Sequence, residues 1–259
     1  MNRQPAVAGS FYPSNPQQLH SMLTQYLTDA ETDEKVPKAI IAPHAGYIYS
    51  GPIAATAYAR LKKARDLITR VVLIGPSHRV AFRGLAVSRA QTFTTPLGRI
   101  LVDQKAVQTI VELPFVEYIE QAHTYEHSLE VHLPFLQEML GDFKIVPIVA
   151  GDASPEQVSQ VLDMLWGGDE TLIVISSDLS HYHAYATAQK LDKATSLTIE
   201  QLQYEQLDPE SACGKVPVSG LLKLAREKSL SIKTIDLRNS GDTAGEKDSV
   251  VGYGAYVIE

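Results

Sequence analysis

Short, uninterrupted aliphatic runs constrain this chain more than any other feature. Val71-Val72-Leu73-Ile74 and Leu172-Ile173-Val174-Ile175 carry no polar residue, and Ile145-Val146-Pro147-Ile148-Val149 is apolar throughout. A strand with one face in water alternates polar and apolar side chains, whereas a strand that is apolar at every position must be covered on both faces. Runs this short and this rich in Val and Ile suit buried strands better than buried helices. The stretches between them are amphipathic and long enough for helices, an alternation that specifies an α/β architecture.

On this reading strands occupy 38–42, 70–75, 84–88, 144–149, 171–176, 232–237 and 250–258, and helices occupy 15–30, 51–64, 103–113, 128–140, 154–165, 184–204 and 218–228. Leu129, Leu133, Leu136 and Leu140 share one helical stripe, as do Val158, Val161, Leu162 and Leu165. Ser154 followed by Pro155 is a helix start, a capping hydroxyl before a proline at the first helical position. The acidic stretch 28–35 reads as a solvated connection. No repeat, low-complexity tract or long linker divides the chain. The expectation is a single domain over residues 1–259, with a central mostly parallel or mixed sheet flanked by helices.

The formal charge of -7 argues against binding a nucleic-acid backbone, which needs a concentrated cationic surface. One cysteine, Cys213, allows no internal disulfide and reads as an inert, partly buried thiol. The first dozen residues lack the apolar core of a signal peptide, and no apolar run approaches the roughly 20 residues of a membrane span. The expected location is the cytoplasm.

The polar residues of interest sit where strands end. The run 38–42 leads into Pro43-His44, 70–75 into Pro76-Ser77-His78, 171–176 into Ser177-Asp178-Leu179-Ser180-His181, and 232–237 into Arg238-Asn239-Ser240-Gly241-Asp242. Ligands of open α/β sheets bind beyond the carboxyl ends of the strands, so His44, His78, Asp178, His181 and Asp242 are expected to converge. Gly46, Gly51, Gly75 and Gly241 would let the backbone approach a bound group. Imidazoles with carboxylates and no thiolate suit Fe(II), Zn, Mn or Cu, and two histidines plus one carboxylate form the facial triad of non-haem iron oxygenases. Each segment alone is weak, since a histidine after a strand more often caps or hydrogen-bonds, and Asp242 in Ser-Gly-Asp-Thr could be a turn former.

A second cluster runs His123-Thr124-Tyr125-Glu126-His127-Ser128-Leu129-Glu130-Val131-His132. The inverted zinc-protease pattern needs its second histidine four residues after the first. His132 falls five after His127, about 140° around a helix. The spacing fails, leaving Glu126 and His127 as residues that could face the cleft and His132 as surface or packing. Gly75-Pro76-Ser77-His78 is not a nucleophile elbow, and no phosphate-binding glycine loop is present.

Taken together these segments resemble the Memo family, whose prokaryotic members are called AmmeMemoRadiSam system protein B. The resemblance rests on Ala-Val-Ala-Gly-Ser-Phe-Tyr at 6–12, Ala-Pro-His-Ala-Gly-Tyr-Ile-Tyr-Ser-Gly at 42–51, Gly-Pro-Ser-His at 75–78 and Glu-His-Ser-Leu-Glu-Val-His-Leu-Pro-Phe-Leu at 126–136. It continues through Ser-Ser-Asp-Leu-Ser-His-Tyr at 176–182, Cys-Gly at 213–214 and Asn-Ser-Gly-Asp-Thr-Ala-Gly at 239–245. The resemblance implies a fold like that of class III extradiol dioxygenases. It implies metal ligands at His44, His78 and Asp242, the last standing where animal members carry a cysteine. It therefore implies a divalent metal, Fe(II) first, with Zn or Cu as alternatives. Asp178 and His181 match a second polar pair, as further ligands, as partners that orient the ligands, or as a catalytic acid/base pair with His181 oriented by Asp178, and Tyr49 and Phe11 match cleft positions.

Two roles follow from the resemblance. One is a metal-dependent, dioxygenase-like oxidoreductase acting on a small molecule. The other is a non-catalytic accessory or adaptor that binds a metal or peptide and works with a radical S-adenosylmethionine protein. Neither role involves nucleic acid or a membrane.

Overall fold

A computed structural model of the chain describes residues 1–30, 35–208 and 210–259. In chain order the first elements are β1 (Asn2–Arg3), α1 (Pro16–Asp29), β2 (Ala39–Ala42), α2 (Tyr47–Ala59), β3 (Arg70–Pro76) and β4 (Leu85–Val87). Next come β5 (Thr92–Thr95), β6 (Gly98–Val102), α3 (Gln104–Val111), β7 (Val116–Tyr118), α4 (Glu120–Thr124), α5 (Leu133–Met139) and β8 (Lys144–Ala150). The chain closes with α6 (Pro155–Met164), β9 (Thr171–Ser176), β10 (His181–His183), α7 (Tyr185–Glu200), α8 (Lys215–Glu227), β11 (Ile232–Asn239) and β12 (Val250–Ile258).

The aliphatic runs lie side by side as the central strands. The sheet runs β1-β5-β6-β8-β3-β9-β2-β12-β10, with β11 also on β12 and with β4 bridging β8 and β7. The pairs β6–β8, β8–β3, β3–β9 and β9–β2 are all parallel, and β12 is antiparallel to β2. Every residue of β2 and β9 is buried, as is β3 from Val71 onward. The mixed sheet between helices is the architecture that the solid apolar runs demand.

Several boundaries differ for identifiable reasons. The stretch 128–140 is not one helix: a 3₁₀ turn over Glu130–His132 precedes the short α5. Glu130 is drawn into the interior there, so charge satisfaction overrides the leucine stripe. The helix read at 51–64 begins earlier, at Tyr47, and ends at Ala59. The hairpin β5–β6 and the short strands β1, β7 and β10 carry no solid apolar run, and periodicity passed over them. Ser154 caps α6 with a reciprocal bond to Gln157, as its sequence indicates. Of the stretch 28–35, residues 31–34 lie outside the described residues. No helix among the described residues is long and apolar enough to cross a membrane.

The failed zinc-like spacing also has a structural outcome. His123 and His132 are both buried. His132 Nδ1 lies 2.8 Å from the Tyr58 hydroxyl, and His123 Nε2 lies 3.1 Å from the Ala86 carbonyl. Burial pushes the His123 imidazole down to about 4. The unfolded chain, with histidine near its ordinary value, therefore takes up the proton first as pH falls. The stability held by neutral His123 is present above about pH 6.5 and is lost as pH falls through about 4, with a full effect of about 3 kcal/mol. His123→Gln keeps a donor toward Ala86 and removes the titration. Urea midpoints measured between pH 7 and pH 4 should fall less steeply in the variant, and parallel curves would show that His123 is not an acid-sensitive element.

Candidate functional site

His44, His78 and Asp178 each lie two residues beyond their strand, on β2, β3 and β9. Those strands are neighbours in the order β3-β9-β2 and run parallel, so all three residues emerge at one end of the sheet. Register brings Ala42 opposite Ser176 and Ile74 opposite Ile175, which aligns the positions that follow. The ring centroids of His44 and His78 are 5.1 Å apart. His127 joins them, stacked on His78 at 4.6 Å and edge-on to His44 at 5.4 Å.

Hydrogen bonding fixes which nitrogen of each ring is bare. The Ser176 hydroxyl spends its only proton on the Ser128 carbonyl, at 2.6 Å, so it can only accept from His44 Nδ1, also at 2.6 Å. Glu126 Oε1 accepts from His78 Nδ1 at 2.9 Å. In both rings Nδ1 carries the hydrogen and Nε2 keeps a free lone pair. Outer partners that set a tautomer in this way are characteristic of metal-binding histidines. His44 is held well below its ordinary range by burial and then by the neighbouring rings of His78 and His127, so it is neutral and able to donate its lone pair.

Glu126 is the pin of this arrangement. Beyond the His78 ring, its carboxylate accepts from the backbone N–H groups of His78, His127 and Ser128. Burial pushes the group up, but the bonds from the His78 side chain and backbone outweigh it and hold the carboxyl at about 2. Gly75 admits this segment: a Cβ there would lie 2.8 Å from Ser128 Oγ. The space at Gly75 is filled by protein rather than by a bound group, and that at Gly51 by the Tyr26 ring.

The third donor facing the two imidazoles is Cys213. Its Sγ lies 3.3 Å from His44 Nε2, and the donor atoms of His44, His78 and Cys213 are all within 4.8 Å of one another. The thiol sits just before α8, where Gly214 packs on the end of β9. A Cβ on Gly214 would lie 2.4 Å from the Ser176 carbonyl oxygen. Burial, then the charge of Asp178, pushes the Cys213 thiol far up. The sequence reads Cys213 as an inert, partly buried thiol, and the structure places that thiol beside His44 and His78. Its sequence signal was the Cys-Gly pair itself, which no hydrophobic period marks.

Asp242 does not stand with His44 and His78. β11 joins the sheet through β12, so the end of β11 lies two strands from β2, roughly 10 Å away. Asp242 instead closes a 3₁₀ turn, accepting from the Asn239 N–H at 3.0 Å and from the Tyr185 hydroxyl. The turn-forming alternative describes its geometry.

Asp178 is buried, and its Oδ1 accepts from the His44 N–H at 2.7 Å while Oδ2 lies 3.9 Å from His44 Nε2. Burial raises its carboxyl above the ordinary value against the lowering bond from His44. His181 is within electrostatic reach of Asp178, but the carboxylate orients the His44 segment rather than His181. The Phe11 ring lies 4.8 Å from that of His127, and Tyr49 is exposed in the first turn of α2.

Two donor groups among the described residues could hold a metal ion: His44, His78 and Cys213, or His78, Glu126 and His127. The first fits better. Tetrahedral bonds to nitrogen and sulfur place ligand atoms about 3.5 Å apart, close to the 3.3 Å between His44 Nε2 and Cys213 Sγ. In the second group Glu126 is already saturated by hydrogen-bond donors, and His127 Nδ1, 3.3 Å from it, is buried without a hydrogen bond.

Comparison with other proteins places these features in a wider set. The family model described as "Memo-like protein" matches residues 3–257. The chain is 37% identical to a MEMO1 family protein of Aquifex aeolicus, over 97% of each chain. It is 38% identical to one of Methanosarcina acetivorans, over 99% of each. It is 35% identical to one of Saccharolobus solfataricus, over 98% of each. Among solved structures, the uncharacterized protein JW3007 of Escherichia coli K12 aligns over 86% of this chain and 100% of its own, with a TM-score of 0.52 and 14% identity, a likeness of fold.

Proposed function

Because the chain belongs to the Memo-like family, matched over residues 3–257, we propose that its strand-end cleft is a mononuclear metal centre held by His44, His78 and Cys213, and that the protein is a metal-dependent oxidoreductase acting on a small molecule. The convergence of two tautomer-fixed imidazoles and a thiol within 4.8 Å carries this reading. The thiol shifts the expected metal. A two-histidine, one-carboxylate triad suits Fe(II), whereas thiolate with imidazole favours copper or zinc.

A metal bound there would supply Lewis acidity or a redox couple at its open position. The residues around it do the rest. Asp178, kept protonated more readily than an ordinary carboxyl, can deliver a proton beside His44. His127 is neutral at physiological pH, because burial lowers it more than Glu126 raises it, and its Nδ1 lies against the Glu126 carboxylate at 3.3 Å. His181 is half-buried at the start of β10. A second reading, that the site stores or hands on a metal without catalysis, draws on the soft, half-buried thiol donor.

Metal analysis of protein purified anaerobically without a metal-binding tag tests the centre. One metal per chain is expected, and His44→Ala and His78→Ala should lose it while staying folded by circular dichroism. Failure of the wild type to take up Cu(I), Zn(II) or Fe(II) would end the metal reading. Substrate screening under O₂ separates the catalytic reading from the storage one.

A further inference from the structure

A cavity of about 530 Å³ is walled by Val7, Val80 and Tyr125 and edged by Arg79, Gln121 and Thr124. That volume falls within the range of about 300–1,000 Å³ typical of small-molecule sites. No carboxylate lines it. Arg79 makes no ion pair among the described residues, unlike Arg238 of another cavity, which is held by Asp236. A free guanidinium over an apolar floor is a receptor for one anionic group on an apolar body. In a chain of net charge -7, such a ligand gains nothing from the overall field and must be recognised locally.

Two chain segments link the cavity to the metal-donor cluster. Arg79 directly follows His78, and its charge bears on the His127 ring. Val7 accepts from the backbone N–H of Phe11, whose ring packs on His127. We infer that this cavity is the recognition subsite for a small carboxylate with an apolar body: the acid pairs with Arg79, the body lies on Val7, Val80 and Tyr125, and the far end reaches toward His78 and His127. A single cation with neutral polar neighbours matches a monoanionic carboxylate better than a phosphate dianion, which would call for further positive charge. The contact of the far end with a metal rests on the metal-centre reading; the Arg79 contact does not.

The test uses the full chain after chelator treatment, with 3-phenylpropionate as probe and 3-phenylpropanamide as its neutral control, followed by ligand-observed NMR. The wild type should bind the carboxylate at least about tenfold more tightly than the amide. Arg79→Gln should reduce the carboxylate to the level of the amide, and Arg79→Lys should keep a weaker preference for charge. Equal binding of acid and amide, an unaltered preference in Arg79→Gln, or no binding to the wild type would overturn the subsite. Metal uptake by the same preparations is measured separately. A wild type that binds the carboxylate but no metal would sink the metal centre alone, and one that binds metal without preferring the acid would sink the subsite alone.

Discussion

Cys213→Ala is expected to weaken metal binding by more than about 100-fold, whereas Asp242→Ala should leave it unchanged. Removing an outer partner of a ligand already costs about 10–100-fold in affinity, and removing the ligand itself costs more. Glu126→Gln should therefore fall between wild type and Cys213→Ala, since it disturbs the acceptor that keeps His78 Nε2 bare. The contrast is measured by competition against a chromophoric chelator, with Co(II) as a spectroscopic probe. Wild type and Asp242→Ala should both show thiolate-to-cobalt charge transfer, and Cys213→Ala should lack it. Burial keeps the thiol protonated in the free chain, so metal uptake releases a proton and apparent affinity should rise with pH. Cys213→Asp would rebuild a two-histidine, one-carboxylate set and should move preference toward harder metals. Undiminished Co(II) affinity in Cys213→Ala, or its loss in Asp242→Ala, would return the third position to Asp242.

The difference between those two residues shows what a sequence can and cannot carry. His44, His78 and Asp178 were legible because each follows a solid apolar run, and parallel neighbours bring such positions to one edge. Asp242 follows a run that alternates polar and apolar residues, Ile232-Lys233-Thr234-Ile235-Asp236-Leu237, and β11 enters the sheet behind an antiparallel β12, an order that periodicity does not record. Cys213 was opaque for the opposite reason. It belongs to no periodic element, and it meets His44 only because Gly214 lets the start of α8 touch the end of β9. The strands β3, β8, β9 and β12 were legible nearly to the residue because burial on both faces leaves little else for Val and Ile to do. The hairpin β5–β6 is half polar, and pairing rather than hydrophobic pattern defines it.

The cluster at 123–132 is a further case, in which a motif that fails as a metal site succeeds as a scaffold. Its histidines divide between packing (His123 and His132) and the cleft (His127), and its acids divide likewise between Glu130 and Glu126. Glu126 and Ser128 face the donors, while two residues on Glu130 turns the other way and gathers the chain's first dozen residues. One segment therefore sets both the tautomer of His78 and the position of Phe11 against His127. Loss of the scaffold should be felt in the site.

Glu130→Ala should accordingly be the most destabilising single substitution outside the aliphatic core, at about 3–5 kcal/mol. Glu130 is fully buried and pairs with Arg3, itself 8% exposed. Its carboxylate also accepts from the N–H groups of Ala6 and Val7, at 2.7 and 3.0 Å, and from the Tyr12 hydroxyl at 2.5 Å. Alanine would leave a buried guanidinium without its counter-charge and three donors without acceptors. Whole-domain stability is only about 5–15 kcal/mol. A fall in melting temperature of about 10 °C is the expected reading in a chain of this size. Arg3 retains the carbonyls of His123 and Glu126, at 3.1 and 2.6 Å, so part of its charge stays solvated by dipoles. For that reason Arg3→Ala with Glu130→Ala should cost less than the two single changes summed, because the second removal relieves the charge that the first exposes. Strict additivity in that cycle would mean that the pair contributes no coupling and that the N-terminal segment is held by its backbone contacts alone.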